Sequence, residues 1–246
     1  MITRIEAGNY RCFRNLSVDI DDYQVLAGAN GSGKSTLLDI PMLLGDLLRA
    51  ERAVDAFLQA RGDAPPRANT ITDLLHRGAG TDILFAVEAR LPAEVATVLA
   101  SGSTATRRPM PTHMRYELRL EVFNQRLQVA EEYLFLFASD AHPPVAGFPM
   151  QGAAAGGRRV PGSRWWPIIS RVPGTGTTLS GETTSRARVL ELRIEPDGLA
   201  LASVPADEGL FPAARWFIGL LRSRAVSYDP NWDALRRPAP ATRRTW

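Results

Sequence analysis

Residues Gly28-Ala29-Asn30-Gly31-Ser32-Gly33-Lys34-Ser35-Thr36 fit the spacing G-x-x-x-x-G-K-[ST]. Each residue type in that spacing answers a demand of a polyphosphate. The glycines let successive backbone N–H groups turn into one concavity. Lys34 supplies a point charge for the β- and γ-phosphates, and the Ser35 hydroxyl is placed to ligate Mg²⁺. A helix that begins here adds the positive end of its dipole at the same spot.

The flanks must hold that loop. Gln24-Val25-Leu26-Ala27 is a short apolar run that reads as a buried strand entering it, and Thr36-Leu37-Leu38-Asp39-Ile40 opens a helical pattern leaving it. The helical pattern continues through Leu43, Leu44, Leu47 and Leu48, with Pro41 inside it, so a kink or break is expected there. Upstream, Ile2–Ala7 and Leu16–Ile20 read as short strands framing a turn at Asn9-Tyr10-Arg11. Downstream, a second helix is expected over Glu51–Gln59, ended by Ala64-Pro65-Pro66-Arg67, and Thr70 or Thr72 caps a short helix through Leu75.

The period then changes. Ile83, Phe85, Val87, Ala89 and Leu91 alternate, as do Tyr116, Leu118, Leu120 and Val122 opposite Arg115, Glu117, Arg119 and Glu121. Leu127 and Val129 continue the pattern after a turn at Asn124-Gln125, and Leu190, Leu192 and Ile194 repeat it before Pro196-Asp197-Gly198 turns into Leu199–Ser203. This predicts an antiparallel sheet with one wet face. Residues 139–187 are rich in Gly, Pro, Ala, Ser and Thr and read as a long, partly mobile insertion, anchored by Trp165-Trp166. Phe211–Arg222 reads as a helix with Pro212 in its first turn, followed by a strand at Val226-Ser227-Tyr228 and an aperiodic tail over Pro238–Trp246.

Composition narrows the class. The 246 residues are 45% hydrophobic and 22% charged, which is ordinary for a globular chain with a sizeable core. A net charge of +3 permits nucleic-acid binding without arguing for it, and the arginine pairs at 107–108 and 158–159 read first as solvated loop charges. The single cysteine, Cys12, reads as a small buried apolar residue and fits a reducing compartment. The N-terminus has no apolar signal core and no stretch is long enough to span a bilayer, so a cytoplasmic location is expected. His76, His113 and His142 have no ligand spacing, so no zinc site is expected. Of the paired carboxylates Glu131 and Glu132, at least one is expected in solvent.

The loop residues Asn30-Gly31-Ser32, with Asn9-Tyr10-Arg11-Cys12-Phe13 upstream, resemble the opening of a particular group. It is the ABC-type ATPases that include the SMC, Rad50 and RecF proteins, with the related AAA-family ATPases of bacterial defence and repair. The resemblance implies an α/β fold: the N-terminal lobe of a P-loop NTPase of the ABC-ATPase kind, with an antiparallel β-subdomain. On this reading residues 1–60 form the phosphate-loop core. Residues 81–204 form the β-subdomain with its insertion near 139–187, and 211–236 return to the core. It implies ATP and Mg²⁺ as cofactors, held by residues 28–36, with Arg11 reaching a phosphate as the family's arginine at this place does; read from the residue alone, Arg11 is equally a surface arginine. It also implies a partner: a second ATPase head or a completing polypeptide, with nucleic acid as a further candidate and no membrane.

A complete head of this family also carries a signature motif, a Walker B strand ending in Asp-Glu, and a switch histidine. Leu179-Ser180-Gly181-Glu182 looks like the start of a signature motif but reads as a turn, because a strand and not a helix is expected after it. Leu134–Asp140 is an apolar run ending in an acid, but it comes early and lacks the following Glu. No catalytic residue is therefore assigned. The chain is expected to bind ATP, and to hydrolyse it only when completed by a second half. The alternatives are a non-catalytic nucleotide-binding interaction module and a truncated, inactive fragment. A GTPase is disfavoured by the lack of an Asn-Lys-x-Asp motif, and a small kinase by the sheet segments that come so soon after the loop.

Overall fold

A computed structural model of the chain describes residues 1–62, 64–101, 110–138, 165–174, 176–183 and 189–224. Among these residues the sheet pattern gives eight strands: β1 (Ile2–Tyr10), β2 (Phe13–Asp19), β3 (Asp82–Arg90), β4 (His113–Phe123), β5 (Arg126–Phe137), β6 (Trp165–Val172), β7 (Gly176–Ser180) and β8 (Val189–Leu192). They form one sheet in the order β2-β1-β3-β4-β5-β6-β7-β8, with every neighbouring pair antiparallel. Four α-helices among the described residues accompany it: α1 (Lys34–Leu47), α2 (Asp55–Leu58), α3 (Ala93–Ser101) and α4 (Pro212–Gly219), the last continuing as a π-helical turn over Leu220–Arg224. The architecture is mixed α/β.

One face of the sheet carries the main core. Ile5 and Ala7 of β1, Phe85 and Val87 of β3, and Tyr116 and Leu118 of β4 alternate onto it, together with Ile40, Leu43, Leu44 and Leu47 of α1 and Phe217 of α4. Helix α1 runs unbroken past Pro41. The apolar face on both sides of the proline is fixed in the core, and that burial offsets the one hydrogen bond the ring removes. On its outer side, Asp39 and Asp46 hold the buried Arg67 at 2.6 and 2.8 Å, and Asp46 also takes Arg61 at 3.0 Å, so both arginines are strapped to the helix. At its far end, Gly45 lets the backbone of the 220–224 turn come close: a Cβ there would sit 2.3 Å from the Leu221 carbonyl oxygen. Around this contact the Arg49 side chain donates to the Arg222 carbonyl, and the Arg222 side chain donates to that of Leu48.

Several expectations are corrected. The face of β3 and β4 predicted to be wet is buried: Glu88, Arg115 and Glu117 lie almost wholly out of solvent. Arg115 there meets Glu6 at 2.7 Å, Glu88 at 2.9 Å and Glu117 at 2.5 Å, so alternation of charge marks a paired ionic layer and not a solvated face. Burial alone would raise the Glu6 carboxyl, but Arg115 and Arg4 beside it hold it below its ordinary range. Within the expected insertion β6 and β7 pair as a hairpin with a turn at Pro173-Gly174, while 139–164, 175 and 184–187 lie outside the described residues. Ile168, Ile169 and Leu179 bury there, and Pro167 sits where the register shifts. Leu199–Ser203 is not a strand: Leu201–Ser203 is a 3-10 turn. The second helix is only one turn, α2, and α3 arises where no element was expected. The strand expected at 226–228, the tail, His142 and the arginine pairs at 107–108 and 158–159 lie outside the described residues.

Two buried carboxylates tie in the later segments. Glu132 is fully buried and accepts from Tyr116 Oη at 2.9 Å and from the Ala200 and Leu201 amides at 2.6 and 2.7 Å. Its neighbour Glu131 is also largely covered, pairing with Arg119, so neither carboxylate of the pair stands in solvent. Glu182, which ends the signature-like stretch, accepts from the Ala213 and Ala214 amides at 2.6 and 2.8 Å and so caps the first turn of α4. Burial pushes its carboxyl up to about 7, against the two amides that favour its charged form.

Candidate phosphate-binding site

The predicted loop leads into α1, whose first residue is Lys34. Gly31 and Gly33 adopt φ of 79° and 96°, backbone that side-chain-bearing residues rarely take. Gly33 is required a second time by space: a Cβ there would lie 2.6 Å from the Phe13 ring and 2.8 Å from Cys12 Sγ. The tip of the β1–β2 hairpin therefore rests directly on the loop. The expected burial of Cys12 is corrected by the same contact, since its thiol is exposed at the hairpin turn beside Gly33 and does not enter the core.

Lys34 Nζ donates to the carbonyls of Gly28 at 2.7 Å and Ala29 at 2.8 Å, and reaches Ser32 Oγ at 3.4 Å. Among the described residues no carboxylate pairs with it. The helix start has no side-chain cap and no acid in its first turn. Backbone N–H groups at the mouth of α1 are thus open to an anion, and the nearest cation rests only on neutral oxygens. Ala29, Asn30, Gly31, Ser32 and Ser35 are exposed around this opening, with Thr36 half-buried behind them. A cleft of about 260 Å³ lies alongside, lined on its apolar side by Phe13, Leu16, Val25, Leu26 and Leu37 and on its polar side by Ser32, Gly33 and Lys34.

The strand expected to feed the loop is not formed. Residues 24–27 are irregular, Val25 is 71% exposed and the preceding Tyr23 is 86% exposed. A strand needs a ladder partner, and the β2 edge beside it pairs only with β1 among the described residues. The apolar run is present, but only Leu26 of it packs against the core among the described residues, and Val25 stays in solvent.

Arg11 lies at the hairpin turn with φ of 51°, exposed and next in sequence to the two residues that abut Gly33. Its side chain lies near the Tyr10 hydroxyl. Burial pushes that phenol up to about 12, and the Arg11 charge works against the rise. The turn itself is held from a distance. Asn9 Nδ2 donates to the carbonyls of Ala79 at 3.0 Å and Asp82 at 2.8 Å, and its Oδ1 accepts from the His76 amide at 3.2 Å. His76 Nδ1 lies 3.0 Å from the Arg11 carbonyl, and the Arg11 amide donates to the Leu74 carbonyl at 2.8 Å. The sequence does not connect Asn9 with His76; its only signal is an Asn at the turn, a residue that tolerates left-handed backbone.

Residues 1–48 match the family described as "AAA ATPase domain". No curated protein matches the chain. Among solved structures, one from work described as "Structural biochemistry of ATP-driven dimerization and DNA stimulated activation of SMC ATPases" is 18% identical, with a TM-score of 0.34. That superposition covers 54% of this chain and 68% of the other. The family match spans the β1–β2 hairpin, the loop and α1, which are the parts that form the candidate site. It supports an ATP-binding, ATPase-type opening to the chain.

Proposed function

We propose that residues 28–36 bind ATP with Mg²⁺, and that the chain is the phosphate-binding lobe of an ABC-type ATPase with a P-loop NTPase fold. The observation that carries this reading is the uncapped start of α1 with Lys34 bonded, among the described residues, only to loop oxygens. A triphosphate would replace those oxygens on Lys34 and take up the open amides. Ser35, exposed at the second position of the helix, is the residue that would hold the metal beside the phosphates. Mg²⁺ held there would supply positive charge to offset that of the phosphates. Arg11, presented by the hairpin that rests on Gly33, is the second cation for the phosphates.

Hydrolysis is proposed only for the lobe completed by a Walker B and signature half, from a second head or another polypeptide. Two observations support this. The buried acids nearest in sequence to the motif-like stretches are committed elsewhere: Glu132 ties down 200–201 and Glu182 caps α4. Beside the loop, Tyr23, Val25 and Leu38 expose apolar surface that a completing strand and its neighbours would cover. A role in DNA repair or defence, in the cytoplasm, accords with the branch that the opening sequence resembles. Among the described residues no helix is long and apolar enough to cross a membrane.

The test is titration of a fluorescent ATP analogue with and without Mg²⁺, on the wild type, Lys34→Ala and Ser35→Ala. Binding should weaken at least about tenfold in Lys34→Ala, and the Ser35→Ala loss should appear only with Mg²⁺ present. Equal affinity for wild type and Lys34→Ala would remove the assignment. Steady ATP turnover by the chain alone that vanishes in Lys34→Ala would show that the acid is already present.

A further inference from the structure

Three non-glycine residues in and beside the β1–β2 turn hold left-handed backbone: Asn9, Arg11 and Arg77, with φ of 51°, 51° and 56°. Such backbone persists only where the surroundings over-determine it. Here the surroundings are mutual. Asn9 spends both amide hydrogens on Ala79 and Asp82 and its oxygen on the His76 amide, so the side chain has one orientation and no spare donor. His76 must carry its proton on Nδ1, because the atom it faces is the Arg11 carbonyl. Gly80, at φ of 81°, leaves room for this: a Cβ there would meet Asn9 Nδ2 at 2.9 Å. Between the two strained residues, Tyr10 is fully buried, edge-on to Phe85 at 4.9 Å. The turn is thus pinned at Asn9, at Tyr10 and at Arg11, and all the polar pins come from residues 74–82.

None of those pins touches the phosphate loop, yet the turn they hold rests on Gly33 through Cys12 and Phe13. We infer that Asn9 and His76 are positioning residues of the nucleotide site, which fix the Arg11 backbone so that its guanidinium can turn from the Tyr10 hydroxyl to the terminal phosphate. This rests on the ATP-binding reading above and on Arg11 as its second cation. A merely structural brace would lower stability and weaken all nucleotides alike. A positioning pair would act on the phosphate that Arg11 meets and leave the rest of the site intact.

The experiment measures ATP and ADP affinity by titration, with a melt recorded for each variant. Arg11→Ala should lower the ATP-to-ADP affinity ratio about tenfold, as loss of one charge-assisted contact to the terminal phosphate. Asn9→Ala and His76→Ala should lower the same ratio, and neither should lower it further when added to Arg11→Ala. His76→Asn, whose amide nitrogen occupies the place of Nδ1, should restore the ratio. His76 is half-buried and its ring bonds to the Arg11 carbonyl, so His76→Ala keeps the test alive if Asn9→Ala does not fold. An unchanged ratio in folded His76→Ala, with Arg11→Ala reducing it, would overturn the inference while leaving the ATP reading standing. Absence of ATP binding by the wild type would instead overturn the reading on which it rests.

Discussion

Lys34 and Arg115 are both cations, and the protein treats them in opposite ways. Arg115 is 3% exposed and faces three carboxylates, from β1, β3 and β4. Lys34 sits at an open helix start and, among the described residues, touches only carbonyl and hydroxyl oxygens. Burial works against the Arg115 charge, and Glu6 and Glu117 more than offset it, so the guanidinium is held charged well beyond its ordinary range. A charge matched inside the chain is part of the scaffold. A charge matched only by dipoles is available to an anion that arrives from outside. The same division separates Arg67, clamped by Asp39 and Asp46 on the outer side of α1, from the loop at the mouth of that helix.

The largest effect expected from breaking this contrast is on stability. Arg115→Met would remove the cation that Glu6, Glu88 and Glu117 share, leaving Glu6 its contact with Arg4, and should cost on the order of 3–5 kcal/mol in urea unfolding. Lys34→Met should change the same measurement by no more than about 0.5 kcal/mol. Comparable losses in both would erase the distinction between the two cations.

Next in size is the buried acid that, among the described residues, has amide partners but no cation. The Glu182 carboxyl is pushed up to about 7 from an ordinary 4.5. Between those values folding takes up a proton, so stability should fall as pH rises from about 4.5 to 7, by about 3 kcal/mol at most. Glu182→Gln should flatten that slope in denaturant melts recorded across the window. A slope that survives the substitution would place the titration elsewhere.

A smaller effect concerns access to the loop. Cys12 is exposed and its sulfur abuts Gly33, so a bulky maleimide on it should crowd the hairpin tip against the phosphates. Labelling should weaken nucleotide binding several-fold, and prior saturation with Mg-ATP should slow labelling. Equal labelling rates with and without nucleotide would argue that the thiol faces away from the occupied site.

Local structure was legible in the sequence; remote pairing was not. The loop and α1 follow from nine consecutive residues and an apolar period. The β4–β5 turn follows from Asn124-Gln125, which take φ of 49° and 60° as a two-residue hairpin demands. The apolar run at 24–27 misleads, because apolar residues signal burial only when a partner strand supplies the ladder. The β6–β7 hairpin is hidden by Pro167 and by the Gly- and Thr-rich stretch around it, which resembles loop composition although Ile168 and Ile169 bury. The ionic layer around Arg115 reads as solvated because alternation reports the two faces of a strand and not what covers them. The Asn9 side chain and the His76 amide are 67 residues apart, and no local pattern reports such a contact.

Helix α1 joins two very different ends. Its first turn is the open mouth of the loop, and near its last turn Gly45 lets the Leu221 backbone lie against it. Fourteen residues of α-helix make a strut of about 21 Å. The straps from Arg61 and Arg67 brace it along its length, so it has little freedom to bend. A shove on the 220–224 turn would therefore travel down that strut to the loop, and an anion seated there would push back along the same line.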